Sequence, residues 1–136
     1  MTDKKRLVFA TGKRKTAVAK AVLKPGRGVV TINSQPVETL SPELARAKIM
    51  EPLLLAGDAA KDLNIQVTVS GGGVIGQAEA CRMAVARGLA QWSRGEELRR
   101  RFTAYDRSML AGDQRRTEAK KIGGPGPRRR RQKSYR

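Results

Sequence analysis

Two residue types that build many active sites are almost missing from this sequence. It contains no histidine and a single cysteine, Cys81, among its 136 residues. One cysteine excludes an intramolecular disulfide and any zinc site built from several cysteines. Without histidine no Cys–His nucleophile can form, and Cys81 falls on an apolar helical stripe, where we expect a small core residue. The acids lie scattered among basic neighbours, so the sequence predicts neither an enzyme nor a metal or other cofactor.

Long apolar runs are missing as well. The first apolar run, Leu7 to Ala10, is too short for a signal peptide and far too short to span a bilayer. After Ile122 the only large apolar side chain is Tyr135, which does not fit an amphipathic lipid-binding helix. We therefore expect a cytoplasmic protein in a reducing compartment, with no membrane partner and no small-molecule substrate.

Negative charge is scarce and unevenly distributed. The chain has 29 Lys and Arg against 12 Asp and Glu, which gives a net charge of +17. The net charge is +8 over residues 1–27, −2 over residues 28–98 and +11 over residues 99–136, and no acid follows Glu118. Polycationic ends on a near-neutral body predict a polyanionic partner. Nucleic acid is the commonest one, because neutralised phosphates release condensed counterions.

The chain is long enough for one domain, and its apolar share of 39% supports a modest core. We predict a globular α+β RNA-binding domain over residues 1–110 and an extended basic tail over residues 111–136. Strict alternation over residues 63–70 predicts a strand with one buried and one polar face. The predicted strands are residues 5–11, 16–24, 29–33 and 63–70, with 29–33 pairing back as a hairpin after a turn at 25–28.

Three segments favour helices. Residues 71–92 repeat apolar side chains every three or four positions, and residues 95–103 place Leu98 and Phe102 one turn apart. A third helix is expected to begin at Ser41 as its cap and to end or kink near Met50 or Glu51, before Pro52. The expected stripe of the long helix consists of Ile75, Ala78, Cys81, Val85, Leu89 and Trp92. The resulting fold class is α+β: about four mostly antiparallel strands, with helices on one face.

The run Gly71 to Gly76 matches the GxGxxG pattern of dinucleotide-binding loops, between a strand and a helix. Glu96 lies twenty residues further on, but in a charged helical segment rather than after a second parallel strand. Glycines that allow a sharp turn and close helix packing explain the pattern better. A third interpretation is that backbone amides at this helix start hold a phosphate of RNA.

Two further segments favour phosphate binding. Residues 11–16, TGKRKT, form a predicted compact basic loop between the first two strands, which would position a nucleic acid without specifying its bases. The tail places its cations beyond the run Gly123 to Pro127, which cannot form a helix or a central strand. Fully extended, Lys120 to Arg136 would span roughly 55 Å. The alternatives are a solvated loop and a floppy basic extension or localisation signal.

Three separated motifs carry a family resemblance: TGKRKTAVAKAVLKPGRGVVTIN, VTVSGGGVIGQAEACRMAVARGLA and the ending KKIGGPGPRRRRQKSYR. In this order they closely resemble the universal small-subunit ribosomal protein nine family, from about Lys5 to Arg136. The ending resembles the archaeal and eukaryotic branch, and an archaeal source is favoured. The resemblance implies a fold similar to the second domain of small-subunit ribosomal protein five, with a left-handed βαβ crossover.

The resemblance also implies a place and partners. The family sits in the head of the small ribosomal subunit, on ribosomal RNA and beside neighbouring head proteins, and its tail reaches the anticodon stem-loop of the P-site tRNA. The residues expected to bind ribosomal RNA are Thr11, Gly12, Lys13, Arg14, Lys15, Thr16, Gly71, Gly72, Gly73, Lys120, Lys121, Gly123, Gly124, Arg128, Arg129, Arg130 and Arg131. Those expected to contact tRNA are Lys133, Ser134, Tyr135 and Arg136. A chromatin-type protein that coats DNA and a nucleotide-dependent enzyme are the alternatives.

Overall fold

The protein combines one β-sheet with α-helices, as predicted. The computed structural model describes residues 6–40, 42–94, 96–112, 115, 118–130, 132 and 134. In this part of the chain the strands are β1 (Val8–Arg14), β2 (Ala17–Pro25), β3 (Val30–Ile32), β4 (Gln35–Pro36) and β5 (Leu63–Ser70). The α-helices are α1 (Glu43–Ala56), α2 (Val74–Ser93), α3 (Glu96–Tyr105) and α4 (Ser108–Ala111). The α+β class is confirmed, with one short strand more than expected.

The strand order places β5 in the interior of the sheet. The order is β1-β2-β5-β3-β4, with β5 antiparallel to β2 and parallel to β3. The predicted hairpin between the second and third strands is therefore wrong. A parallel neighbour needs a long crossover, which the segment containing α1 supplies. Asn33 extends this pairing: its Oδ1 accepts from Val69 N at 2.9 Å and its Nδ2 donates to Val69 O at 3.2 Å. The left hand of the crossover stays a prediction.

The alternation of β5 sorts its side chains as predicted. Leu63, Ile65, Val67 and Val69 are buried, while the side chains between them face outward. β1 and β2 alternate in the same way, and α2 packs against both strands and against β5. One face of the sheet is thus closed by helices, and no described helix covers the other, open face.

The basic segment TGKRKT is not a loop over its whole length, so that prediction is wrong in part. Thr11 to Arg14 belong to β1, and only Lys15 and Thr16 form the turn into β2. Pairing continues to Arg14 opposite Ala17. Gly12 permits this because it lets β1 lie directly on α2. A β-carbon there would overlap Ala80 O and lie 2.6 Å from Ala84 N.

Helix α1 runs through Pro52 to Ala56, so a helix end near Met50 or Glu51 is wrong, whereas the predicted alternative, a kink there, stays a prediction. A proline inside a helix removes one backbone hydrogen bond and crowds the preceding turn. Here Pro52 and Ala56 are both buried, and this burial opposes the local cost. The helix begins after Pro42, and the predicted cap Ser41 lies outside the described residues.

The long helix α2 forms the centre of the core. Four members of its predicted stripe, Ala78, Cys81, Val85 and Leu89, are buried, whereas Ile75 lies at the exposed start of the helix. Leu98 and Phe102 of α3 are buried in the same core. At the far end, Arg6 donates to Trp92 O at 2.8 Å, and its guanidinium lies 4.4 Å from the centre of the Trp92 ring. This cation thereby satisfies a carbonyl where the helix dipole is negative.

Candidate nucleic-acid interface

Two predicted phosphate-binding segments meet in one groove. The turn Lys15–Thr16 faces the glycine loop before α2, and together they border a groove of about 480 Å³. These segments are more than fifty residues apart in sequence. They meet because β2 pairs with β5, which brings Val18 opposite Ser70. The groove is lined by Arg14, Lys15, Thr16, Gly72, Gly73, Val74, Ile75, Gly76 and Glu79.

The beginning of α2 supplies backbone donors to this groove. Gly73 is its N-cap and therefore provides no side-chain cap, and the first turn carries no acid. The first helical bond runs from Gln77 N to Gly73 O at 2.9 Å. The backbone N–H groups of the first helical turn, before Gln77, have no acceptor within the helix, and the helix dipole is positive at this end. With Lys15 alongside, the groove has the charge and the donors that suit a phosphate.

The close approach of the β1–β2 turn explains why two of the three residues in the loop before α2 are glycine. Gly71 and Gly72 have φ of +80° and +65°, a region that side chains disfavour. A β-carbon on Gly71 would overlap Thr16 O, and one on Gly72 would lie 3.1 Å from the Ala17 Cβ. Gly73 has an ordinary φ of −95° and open space around it. The sharp-turn interpretation thus applies to Gly71 and Gly72, and phosphate binding stays a prediction for all three.

The dinucleotide interpretation does not fit this topology. Among the described residues, α2 is followed by α3 and α4, and no strand succeeds it. Glu96 begins α3, where its Oε2 accepts from Arg100 at 3.3 Å. It is therefore not placed at the end of a parallel strand, as a ribose-binding acid would be.

The basic motif TGKRKT distributes its side chains over three environments. Thr11 and Lys13 are exposed on the open side of the sheet, whereas Gly12 is buried against α2. Arg14 is 12% exposed and donates to Glu79 Oε2 at 2.7 Å. Arg14 also lines the groove, and Lys15 and Thr16 face it from the exposed turn. One sequence motif therefore contributes to the sheet face, the core and the groove, and its RNA contacts stay a prediction.

Arg14 also connects the body to the beginning of the tail. Its Nη1 donates to Arg115 O at 3.1 Å, and its partner Glu79 lies 3.6 Å from Lys48 Nζ. Within the body, Arg87 of α2 makes a similar long-range link: its Nε donates to Leu110 O of α4 at 2.8 Å and its Nη1 to Thr11 O of β1 at 3.0 Å. Neither link was foreseen, because both join residues far apart in sequence.

The described part of the tail contains a turn. Glu118 accepts from Lys121 and from Arg128, each at 3.0 Å, although ten extended residues would separate residues 118 and 128 by about 33 Å. Gly124 lies so close to Arg129 O that a β-carbon would overlap it, and Gly123 has a φ of +105°. The described residues around Gly123 and Gly124 form a turn, because glycine permits close approach as well as extension. The extended tail over residues 111–136 stays a prediction.

The predicted tail cations are exposed around this turn. Lys120, Arg129 and Arg130 face solvent, as do Lys121 and Arg128 apart from their contacts with Glu118. Ser134 is exposed too. Arg131, Lys133, Tyr135 and Arg136 lie outside the described residues, so their contacts stay predictions.

Metal ligands and a reactive thiol are both lacking among the described residues. These residues contain no cluster of acids and cysteine that could hold a metal ion. Cys81 is buried, and burial raises the pKa of its thiol to about 12, so the thiolate is scarce at neutral pH. Its expected role as a small core residue is confirmed. None of the described helices is both long enough and apolar enough to cross a membrane.

Comparison with known proteins agrees with the three motifs. The family model described as ribosomal protein S9/S16 matches residues 12–136. A protein of Desulfurococcus amylolyticus, named small ribosomal subunit protein uS9, is 54% identical over 136 residues, which is 100% of this chain and 97% of the relative. The protein of the same name from Thermoplasma acidophilum is 54% identical over 129 residues, which is 95% of this chain and 100% of the relative.

These matches span the hairpin turn, the glycine loop, the helical core and the basic ending in a single alignment. Both relatives are archaeal, which confirms the branch suggested by the ending KKIGGPGPRRRRQKSYR. The chain is a member of the ribosomal protein S9/S16 family.

Proposed function

We propose that this protein binds ribosomal RNA in the head of the small subunit and extends its C-terminal tip to the P-site tRNA. It is a structural protein of the small ribosomal subunit in the cytoplasm, not an enzyme. The observation that carries the proposal is that the family match continues to Arg136 and so includes the basic tail. A tail of this charge has a role only where polyanions surround it.

The body is proposed to hold RNA at the groove between the hairpin turn and the glycine loop. Lys15 and the amides at the start of α2 would neutralise and bind one phosphate. The exposed arginines near the tail turn would add further phosphate contacts, each with no requirement for a particular base. Binding of this kind is electrostatic, so its affinity falls as the salt concentration rises.

RNA binding is tested with the full-length protein, a small-subunit ribosomal RNA transcript and duplex DNA of similar length. We expect a preference for the folded RNA and a steep salt dependence. The triple variant R128Q/R129Q/R130Q should lower the slope of log affinity against log salt by about 2, at roughly 0.7 per lost contact.

The matched control is R99Q/R100Q/R101Q, which removes the same charge from α3 and should leave the slope unchanged. Equal affinity for RNA and duplex DNA would instead favour the chromatin-type alternative. Equal slopes for both triple variants would remove the tail turn from the proposed RNA contacts.

The tRNA contact is tested on small subunits reconstituted with the full chain or with a chain ending at Arg131. We expect equal incorporation and faster dissociation of P-site tRNA from the truncated subunits, since the tip supplies Tyr135 and the cations Lys133 and Arg136. A chain whose last five residues are replaced by Gly and Ser controls for length and should resemble the truncation. Unchanged tRNA dissociation in both would contradict the tRNA contact and leave RNA binding by the body intact.

A further inference from the structure

The open face of the sheet is a second charged surface, distinct from the groove and the tail. It carries three lysines, Lys13, Lys20 and Lys24, and no carboxylate among its described residues. None of these lysines has an ion pair or a side-chain hydrogen bond within the described chain. The open sheet face comprises Phe9, Thr11, Lys13, Val18, Lys20, Val22, Lys24, Thr31, Asn64, Gln66, Thr68 and Ser70.

Strand register orders these side chains into rows. Lys20 lies between Thr11 of β1 and Thr68 of β5, so the cation has a hydroxyl on either side. Lys13 is opposite Val18, which makes Lys13 and Lys20 diagonal neighbours, about 7–8 Å apart. A hydroxyl beside a cation is a common arrangement for phosphate oxygens, because both groups donate hydrogen bonds.

An aromatic side chain stands at the edge of this charged surface. Phe9, the second residue of β1, is 66% exposed and lies opposite Val22, which in turn pairs with Gln66. An exposed phenylalanine on a sheet gives a flat apolar surface on which an unstacked base can lie. The amide of Gln66 lies one strand beyond, where it can donate and accept hydrogen bonds.

The charge pattern distinguishes this surface from the helical side. On α3, Arg100 and Arg101 each contact a glutamate one turn earlier, at 3.3 Å and 2.7 Å. An ordinary solvated face has charges of both signs, as α3 does. The charged side chains described on the open sheet face are all cations, and this face adjoins the groove because Lys13 is two residues from Lys15. The positive charge of this face is therefore complementary to a nucleic-acid strand that continues from the groove.

We propose that the open sheet face binds a single-stranded segment of ribosomal RNA, with its lysines on phosphates and Phe9 stacked on a base. This inference rests on the proposed function but assigns a separate site. The RNA segment would cross β1, β2 and β5, and the threonine hydroxyls would contact its phosphates or riboses. Sequence preference would be weak, since every base has a stacking surface.

The test compares two double variants of the full-length protein that remove equal charge. K13T/K20T neutralises the sheet face with a residue that favours strands, and R100Q/R101Q neutralises α3. With a small-subunit ribosomal RNA transcript and with oligouridine as probes, we expect K13T/K20T to reduce the salt slope by about 1.4 and R100Q/R101Q to leave it unchanged. F9T should weaken oligouridine binding at least about fivefold, because stacking is lost.

The outcomes separate this inference from the proposed function. Equal slopes for the two double variants, with wild-type binding to ribosomal RNA intact, would overturn the sheet-face site alone. Absence of ribosomal RNA binding by the wild type would overturn both. Acetylation and crosslinking of lysines in reconstituted subunits give an independent measurement. Protection of Lys13 and Lys20 from acetylation, together with crosslinks from them to RNA, would support the site. Crosslinks from these lysines to a protein would overturn it.

Discussion

Replacing Gly12 with alanine is expected to destabilise the protein by about 3 kcal/mol or more, because the new methyl group has no space. It would overlap Ala80 O and lie 2.6 Å from Ala84 N, and both atoms belong to the backbone of α2. A flexible side chain could rotate away, but a helix backbone must move as a unit. The free energy of unfolding from urea titrations measures the effect.

The matched control for G12A is G76A, at the other end of the same strand–helix contact. A β-carbon on Gly76 would meet the Ala17 Cβ at 3.9 Å, an ordinary contact, inside α2. Alanine should therefore leave stability unchanged or raise it by up to about 1 kcal/mol, since glycine is a poor helix former. If G12A unfolded at the urea concentration of the wild type, the close packing of β1 on α2 would be contradicted.

Replacing Arg82 with methionine is expected to cost about 2 kcal/mol. Arg82 is 12% exposed on α2 and joins two carboxylates: its Nε lies 2.6 Å from Glu51 of α1, and its Nη2 lies 2.9 Å from Asp106 before α4. Losing the cation leaves both carboxylates close together without a counter-charge. Removing one partner of a buried pair costs 3–5 kcal/mol, and the partial exposure of Glu51 and Asp106 reduces this.

The pH dependence of the stability of R82M shows whether Arg82 stabilises the fold through its charge. Burial alone would raise the pKa of Asp106, but hydrogen bonds from the side chain and backbone of Ser108 and from Arg82 outweigh it, so the pKa lies below its ordinary value. A lowered pKa stabilises the folded state above the unfolded value of about 3.9, and this contribution is lost as the pH falls through the folded pKa.

The difference in stability between wild type and R82M should therefore be full at pH 7 and shrink in acid. The double variant R82M/D106N should recover part of the loss, because it removes one uncompensated carboxylate. A pH-independent difference would indicate that Arg82 acts through the packing of its aliphatic stem and not through charge.

Local periodicity was sufficient to predict much of the fold. The predicted and observed bounds of β5 agree at both ends. The alternation from Leu63 to Val69 permits only one orientation of the strand in which all its apolar side chains are buried on one face. Helix α2 and the buried pair Leu98 and Phe102 follow from the helical period in the same way. Each of these predictions rests on neighbours within one element.

The errors concern contacts between distant segments. Nothing near residues 29–33 indicates that β5, thirty residues later, lies between them and β2. The continuation of α1 through Pro52 depends on the burial of that turn against the core. Gly12 looks like part of a basic loop in sequence, and only the position of α2 explains why a side chain is excluded there.

The candidate site was predicted in its parts but not in its assembly. The turn at Lys15 and the glycines before α2 were chosen separately, and the sheet brings them to one groove. The engagement of Arg14 with Glu79 depends on the register of two elements more than sixty residues apart. Lys20 and Lys24 of the open sheet face were missed because they alternate with core residues along β2 and do not form a run in the sequence.

The interior position of β5 has a consequence for synthesis on the translating ribosome. β1 and β2 are complete at Pro25, but the strand that pairs with β2 ends at Ser70. At 5–20 residues per second, about 2–9 s separate these two points. During this interval the hairpin lacks its neighbour, and an isolated two-stranded hairpin is at best marginally stable in water. The nascent chain thus presents a polycationic amino-terminal segment to its surroundings before it has a sheet to hold that segment in place.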